Sequence, residues 1–361
     1  MKKYFIYFSI VLTVLVVSGQ GCMSLDGETK IETSGPGGMF VSTDKGETWK
    51  IISSMPTVEG VKQLDTISVY RIVEDPADTK AMYWASRERG LFYSFDDGKS
   101  WQRPSAPVDS AFIYDVAIDP ENRCSIYATN GRAVYRTDDC MRSWVEVYQE
   151  VRSADIITSV SFNPFKAHHI YITESNGDLL KSEDLGQHWS VVNRFGVDIR
   201  DVEFDAHKEG LVYIVTRSSG LFRSRDGGVT WDSTRATFNE YPGALTFRRF
   251  LIYPSKSDQI YWVSQYGVLV SRNAGDDWEP INLVTPPGSV DIYGFTVNPL
   301  NDQEIYYTGS IDYRSTFYRS VDGGKTWETR KLPSKQLPTV LRAHPENDGW
   351  LYMGFTIPPQ D

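Results

Sequence analysis

Ser320-Val321-Asp322-Gly323-Gly324-Lys325-Thr326-Trp327 decides the fold, because it recurs. The pattern is Ser or Thr, any residue, Asp, any, Gly, any, Thr or Ser, then Trp. With a few substitutions it returns at residues 42–49, 94–101, 137–144, 182–189, 224–231 and 271–278. The first residues of these seven boxes stand 52, 43, 45, 42, 47 and 49 positions apart. A near-fixed period of this length, carried on short apolar runs, predicts a propeller or a solenoid.

Working outward from a box, the same four short strands appear each time. One unit reads 69–73, 81–85, 91–94 and a fourth strand opening at Trp101. Gly, Pro and Asp bound the runs. The first strand recurs at 114–118, 159–162, 201–204, 250–253, 294–297 and 340–343. Six of the seven close on an X-Pro step, as expected of a residue that cannot donate to a ladder. The second strands share an aliphatic–Tyr pair, as in Ile126-Tyr127 and Ile260-Tyr261. Residues 53–68 read as a polar connection, and no helix of any length is expected. Only a third strand precedes the first box, whereas the last box is followed by a fourth, a first and a second. The two ends therefore complete one blade. The expected fold is an all-β, seven-bladed β-propeller over 38–361, with four-stranded blades, closed by N- and C-terminal strands sharing one blade. Closure protects the strand edges.

The box residues have structural work. Asp44, Asp96, Asp139, Asp184, Asp226 and Asp322, with Asn273 in the sixth box, sit in a turn where a side-chain oxygen accepts backbone N–H bonds. Trp49, Trp101, Trp144, Trp189, Trp231, Trp278 and Trp327 start the outer strands and bury their rings. His188 and Asp277 show that the position before Trp is the least demanding. Met141 replaces glycine in the third box, beside Cys140. Cys124 begins the second strand of that blade, next to the end of the third, so a Cys124–Cys140 disulfide is expected. The alternative is two free buried thiols.

The first 22 residues read as a targeting segment: Lys2-Lys3, an apolar run at 4–17, then Ser18-Gly19-Gln20-Gly21-Cys22. This resembles a bacterial lipoprotein leader, which implies lipidation at Cys22. Residues 23–37 read as a flexible tether. The expected location is outside the cytoplasm, anchored in a membrane through the lipid. A net charge of −10 with no basic run argues against nucleic-acid binding.

The boxes resemble the Asp-box, or bacterial neuraminidase, repeat of sialidases, two-propeller xyloglucanases, sortilin-type receptors and the photosystem II assembly-factor family. The resemblance covers 38–361 and implies the propeller; it spans enzymes and binding proteins alike. Seven blades in one domain look most similar to the assembly-factor group. Tyr70-Arg71-Ile72-Val73 approaches the sialidase Phe/Tyr-Arg-Ile-Pro segment but lacks its proline. Asp115 and Asp201 lie on first strands and offer two channel carboxylates, which a glycosidase needs. The five histidines are scattered, so no metal site and no cofactor are expected. Arg71, Arg200, Arg248, Arg249 and Arg342, with Tyr266, Tyr313 and Arg314, gather on the face opposite the boxes. Such residues suggest a binding surface. The alternative is that these arginines pair with Asp115, Asp201 and Glu203. On this basis the expected function is a non-catalytic scaffold, monomeric, holding a protein or glycan. The other reading is a glycoside hydrolase or sialidase-like enzyme using the channel carboxylates.

Overall fold

The computed structural model describes residues 34–357. The chain is a seven-bladed propeller of antiparallel sheets. Blade 1 pairs Arg71–Asp75, Asp78–Ala85 and Leu91–Ser94, and its fourth strand shrinks to a single bridge between Tyr93 and Gln102. The inner strands of blades 2 to 6 are Asp115–Ile118, Ile157–Phe162, Ile199–Phe204, Phe247–Ile252 and Asp291–Asn298. Each is followed outward by three more strands. Blade 7 is built from both ends: Leu337–Ala343 inside, then Leu351–Thr356, Gly38–Ser42 and Lys50–Ile51. Gly38 to Ser42 pair with Phe355 to Leu351 in unbroken antiparallel register.

Two features depart from the sequence reading. The connection expected at 53–68 contains a hairpin, Ser54–Thr57 with Gly60–Gln63. One helical turn, Arg235–Phe238, buries Phe238 against Trp262 and Trp278.

The core lies between the blades. Seven apolar clusters occupy the seven seams, each joining residues of two neighbouring blades. At the closing seam Met39, Tyr352 and Val340 of blade 7 pack on Ile72 and Trp84 of blade 1. Apolar burial at roughly 25 cal/mol per Å² holds the ring together.

The boxes act as turn locks. Ser320 Oγ accepts from the Gly324 N–H at 2.8 Å and donates to Asp322 Oδ1 at 2.9 Å. Asp322 in turn accepts from the Thr326 N–H at 2.8 Å and its hydroxyl at 2.6 Å. The Thr326 hydroxyl bond holds the carboxylate down at about 2. The other copies share this geometry, Asn273 included. Several boxes also tie blades together. The indoles of Trp101, Trp189 and Trp327 donate to Ile52 O, Val147 O and Asn282 O of the preceding blade. In the third box a disulfide joins Cys124 to Cys140, Cα atoms 4.2 Å apart. Met141 takes the glycine's position at φ 69°, with Cys140 at φ 56°, a region that side chains resist.

Candidate active site

The inner strands begin at the face opposite the boxes and line a central channel. Their first residues break the two-residue alternation. Register shifts open the inner strands of blades 3, 4, 5, 6 and 7, at residues 157/159, 199/201, 247/249, 292/295 and 338/340. A β-bulge inserts an extra residue and turns it toward the side its neighbour already faces. Consecutive residues therefore line the channel together: Arg200 with Asp201, and Arg248 with Arg249.

One side chain spans the lumen. Arg71 of blade 1 meets Asp115 of blade 2 at 2.7 Å through Nη1, and Asp201 of blade 4 through Nη2. Glu203 Oε1 lies 3.9 Å from the same Nη2. Asp115 is also held by backbone N–H groups of Val116 and Val160. Burial works against the Arg71 charge, but Asp115 and Asp201 more than offset it and raise its pKa. Burial pushes the Asp115 carboxyl up to about 7, against the pull of Arg71 and with Asp201 adding to the rise. Glu203 is pushed up to about 8, by burial first and then by the Asp201 charge. Its side chain keeps 40% of its surface accessible, and that surface opens into the channel cavities.

The bridge divides the channel. On the box side a cavity of about 350 Å³ runs from Arg71, Asp115 and Glu74 to the prolines that end the inner strands. On the opposite side a chamber of about 300 Å³ is lined by Tyr70, Tyr114 and Tyr293 together with arginines. Asp201, Glu203 and Arg342 border both spaces. Beside the chamber Tyr114 stacks on Phe112 at 4.0 Å and Tyr70 meets Phe112 edge-on at 4.9 Å. Arg87 lies 5.3 Å over the Tyr70 ring.

The residues expected to form a binding face do not all converge. Arg71, Arg200, Arg248, Arg249 and Arg342 line the chamber. Tyr266 instead lines a separate outer cavity of about 260 Å³ and packs edge-on against Tyr241. Tyr313 and Arg314 stand exposed at the tip of a blade 6 hairpin, away from the channel lining. Within the channel, Arg71 has its carboxylates, Arg200 pairs with Asp198 at 2.8 Å, and Arg248 pairs with Asp291 at 2.7 Å. Sequence reasoning placed Glu203 only as an arginine partner and missed Glu74. The consecutive charges at 200–201 and 248–249 were the available signal for the bulges. Cys22, the targeting segment and residues 23–33 of the tether lie outside the described residues.

Comparison with known proteins agrees with the fold and corrects the functional expectation. The BNR/Asp-box repeat model matches residues 318–329, and the model described as "Sortilin, neurotensin receptor 3" matches 37–175. A probable oligoxyloglucan-reducing end-specific xyloglucanase of Neosartorya fischeri is 24% identical over 383 residues, covering 89% of this chain and 42% of that protein. The GH74 xyloglucanase of Xanthomonas campestris superposes with TM-score 0.63 at 17% identity, over 85% of this chain and 52% of that one. A YCF48 structure bound to a D1 peptide gives TM-score 0.60 at 14% identity, over 85% of this chain and 96% of its own. At these identities the structural likeness establishes the fold. The chain spans about two-fifths of the curated relative. The expected non-catalytic scaffold is overturned, since the curated relative aligned with most of the chain is named as an enzyme. The physical reason for the misreading is the pairing. Three of the arginines taken for a docking surface are neutralised inside the protein.

Proposed function

We propose that the chain is a glycoside hydrolase that admits a glycan chain end at the face opposite the boxes. Asp201 and Glu203 are the catalytic pair. One observation carries this reading: a carboxyl group kept protonated near neutral pH stands beside a carboxylate anchored by Arg71, on the floor of a chamber with aromatic walls. Hydrolysis of a glycosidic bond needs one carboxylic acid to protonate the leaving oxygen and one carboxylate to act on the other side. Glu203 is the acid, since its raised pKa keeps the proton available at the working pH. Asp201 is the base that takes a proton from water, and Arg71 and the Val202 N–H fix its orientation.

Residues i and i+2 on a strand face the same way, and the Asp201 and Glu203 carboxyls both approach Nη2 of Arg71. Asp115 is a positioning residue that holds the other side of Arg71. Chamber size supports action on a chain end, because small-molecule sites start at about 300 Å³. The Arg71 bridge would also stop a polymer from threading through.

The test is product release from xyloglucan oligosaccharides and chromogenic β-glycosides, neutral and acidic. Glu203→Gln is expected to lower kcat by about 10²–10⁴-fold. Wild-type activity should fall as pH rises through about 8, where Glu203 loses its proton. Absence of turnover across the panel, or full activity in both Glu203→Gln and Asp201→Asn, would sink the proposal.

We also infer an extracytoplasmic location with a lipid at Cys22. The disulfide supports the compartment, because such bonds persist in oxidising surroundings. Labelling with a radioactive fatty acid should mark the wild type and spare Cys22→Ser; equal labelling of both rejects the anchor.

A further inference from the structure

We infer that the chamber opposite the boxes binds an acidic sugar, a pyranose bearing a carboxylate, with Arg249 and Arg342 as its receptors. This deepens the hydrolase reading and rests on it. The inference begins from the ion pairs of the channel. Arg71, Arg200 and Arg248 each have a carboxylate in contact. Among the described residues Arg249 and Arg342 have none. Arg249 donates Nε to Tyr293 O at 2.9 Å and Nη2 to Thr339 O, so only neutral carbonyls serve it. The Arg342 guanidinium makes no hydrogen bond among the described residues, and Glu74 and Glu203 act on it only through space.

Burial disfavours the Arg249 charge and the Arg71 and Arg342 charges add to this, outweighing the support of Tyr70 and Asp201. Two guanidinium groups lining one chamber, without a carboxylate in contact, repel one another and lose hydration. A bound anion relieves both costs. A guanidinium fork matches a carboxylate in two parallel bonds; Arg342 has its fork open, and Arg249, with Nε and Nη2 engaged, adds Nη1.

The walls decide what carries that carboxylate. Tyr70, Tyr114 and Tyr293 line the chamber, and aromatic rings carrying hydroxyls suit the apolar and polar surfaces of a sugar. Asp201 and Glu203 share the chamber. A singly charged sugar acid places its charge at Arg249 and Arg342 and its glycosidic oxygen at the carboxyl pair. A doubly charged phosphate would set more negative charge against Asp201.

Calorimetry with methyl β-D-glucuronide and methyl β-D-glucoside tests this on the whole protein. Charge-assisted bonds of this kind are worth about 1.5–3 kcal/mol, so the glucuronide should bind roughly 10–100-fold more tightly. In the Arg249→Met/Arg342→Met double variant the two should differ by less than about threefold. Arg342→Lys, which keeps the charge and loses the fork, should retain part of the preference. The wild-type comparison needs no variant, so a misfolded variant does not rescue the idea. Equal affinities for the two glycosides overturn it. So does a preference that survives in the folded double variant, or acetate or a short peptide carboxylate binding as tightly as the glucuronide. Hydrolysis of neutral oligosaccharides without any glucuronide preference rejects the acidic sugar and leaves the hydrolase. Arginine-dependent glucuronide binding without turnover of any glycan supports the subsite and rejects the hydrolase.

Discussion

Asp115 is almost wholly enclosed, yet only one of its neighbours is a cation. Arg71 favours its charge, while burial and Asp201 disfavour it, and the balance leaves the carboxyl near 7 instead of 3.8. A carboxyl raised on folding stabilises the fold in its protonated form. That contribution is complete below about pH 4 and is lost as pH rises through about 7. Wild-type stability should therefore fall relative to Asp115→Asn across that window, followed by urea denaturation at several pH values. Parallel curves for the two proteins would show that Asp115 titrates normally. None of this was legible from residue type. The sequence places an aspartate on an inner strand, but its pKa depends on which guanidinium crosses the lumen to meet it. That partner comes from the preceding blade, and Asp201 lies two blades further on.

At the scale of turns and strands, the reading divides by the range of the interactions. The turn of the box is local: the bonds among Ser320, Asp322, Gly324 and Thr326 fall within seven residues. It could be read directly, down to its weak position before Trp. The bulges are different. A period-two reading assigns Arg248 and Arg249 to opposite faces, whereas the shifted register brings both to the channel. The hairpin at 54–63 was obscure for a related reason. Val58 and Val61 are exposed and Met55 alone packs against the core, so the hairpin carries no alternating apolar face to betray it. The disulfide was legible because strand pairing within one blade brings its two cysteines together. It closes a loop of sequence separation 16 around the box that lacks glycine. Removing it as Cys124→Ser/Cys140→Ser should cost about 3 kcal/mol on loop-entropy grounds. The loss should appear as a lower melting temperature that reducing agent reproduces in the wild type. An unchanged melting temperature would mean that the Met141 turn holds itself.

For the whole molecule, the complementary strands at the two ends allowed the ring to be inferred, and the closing seam shows how tightly it fits. A Cβ added at Gly354 would lie 2.5 Å from Val69 Cγ1 and 2.7 Å from its Cβ. Gly354→Ala should therefore wedge blade 7 away from blade 1 and cost about 1–3 kcal/mol. Differential hydrogen exchange should show the loosening first at this seam; uniform protection would argue that Val69 simply moves. The function was harder to read at this scale, since arginines counted along a chain say nothing about which of them remain unpaired once the ring has formed.

The shared blade also governs the order in which the protein can be finished. Gly38–Ser42 leaves the ribosome long before its partner Leu351–Thr356. Until then Gly38–Ser42, paired only with Lys50–Ile51, keeps one open strand edge, a template for pairing with another chain. Crowding of nascent chains at this stage favours joining between molecules over joining within one. A helper that covers the waiting edge during synthesis would raise the yield of monomer more than any change to the finished ring.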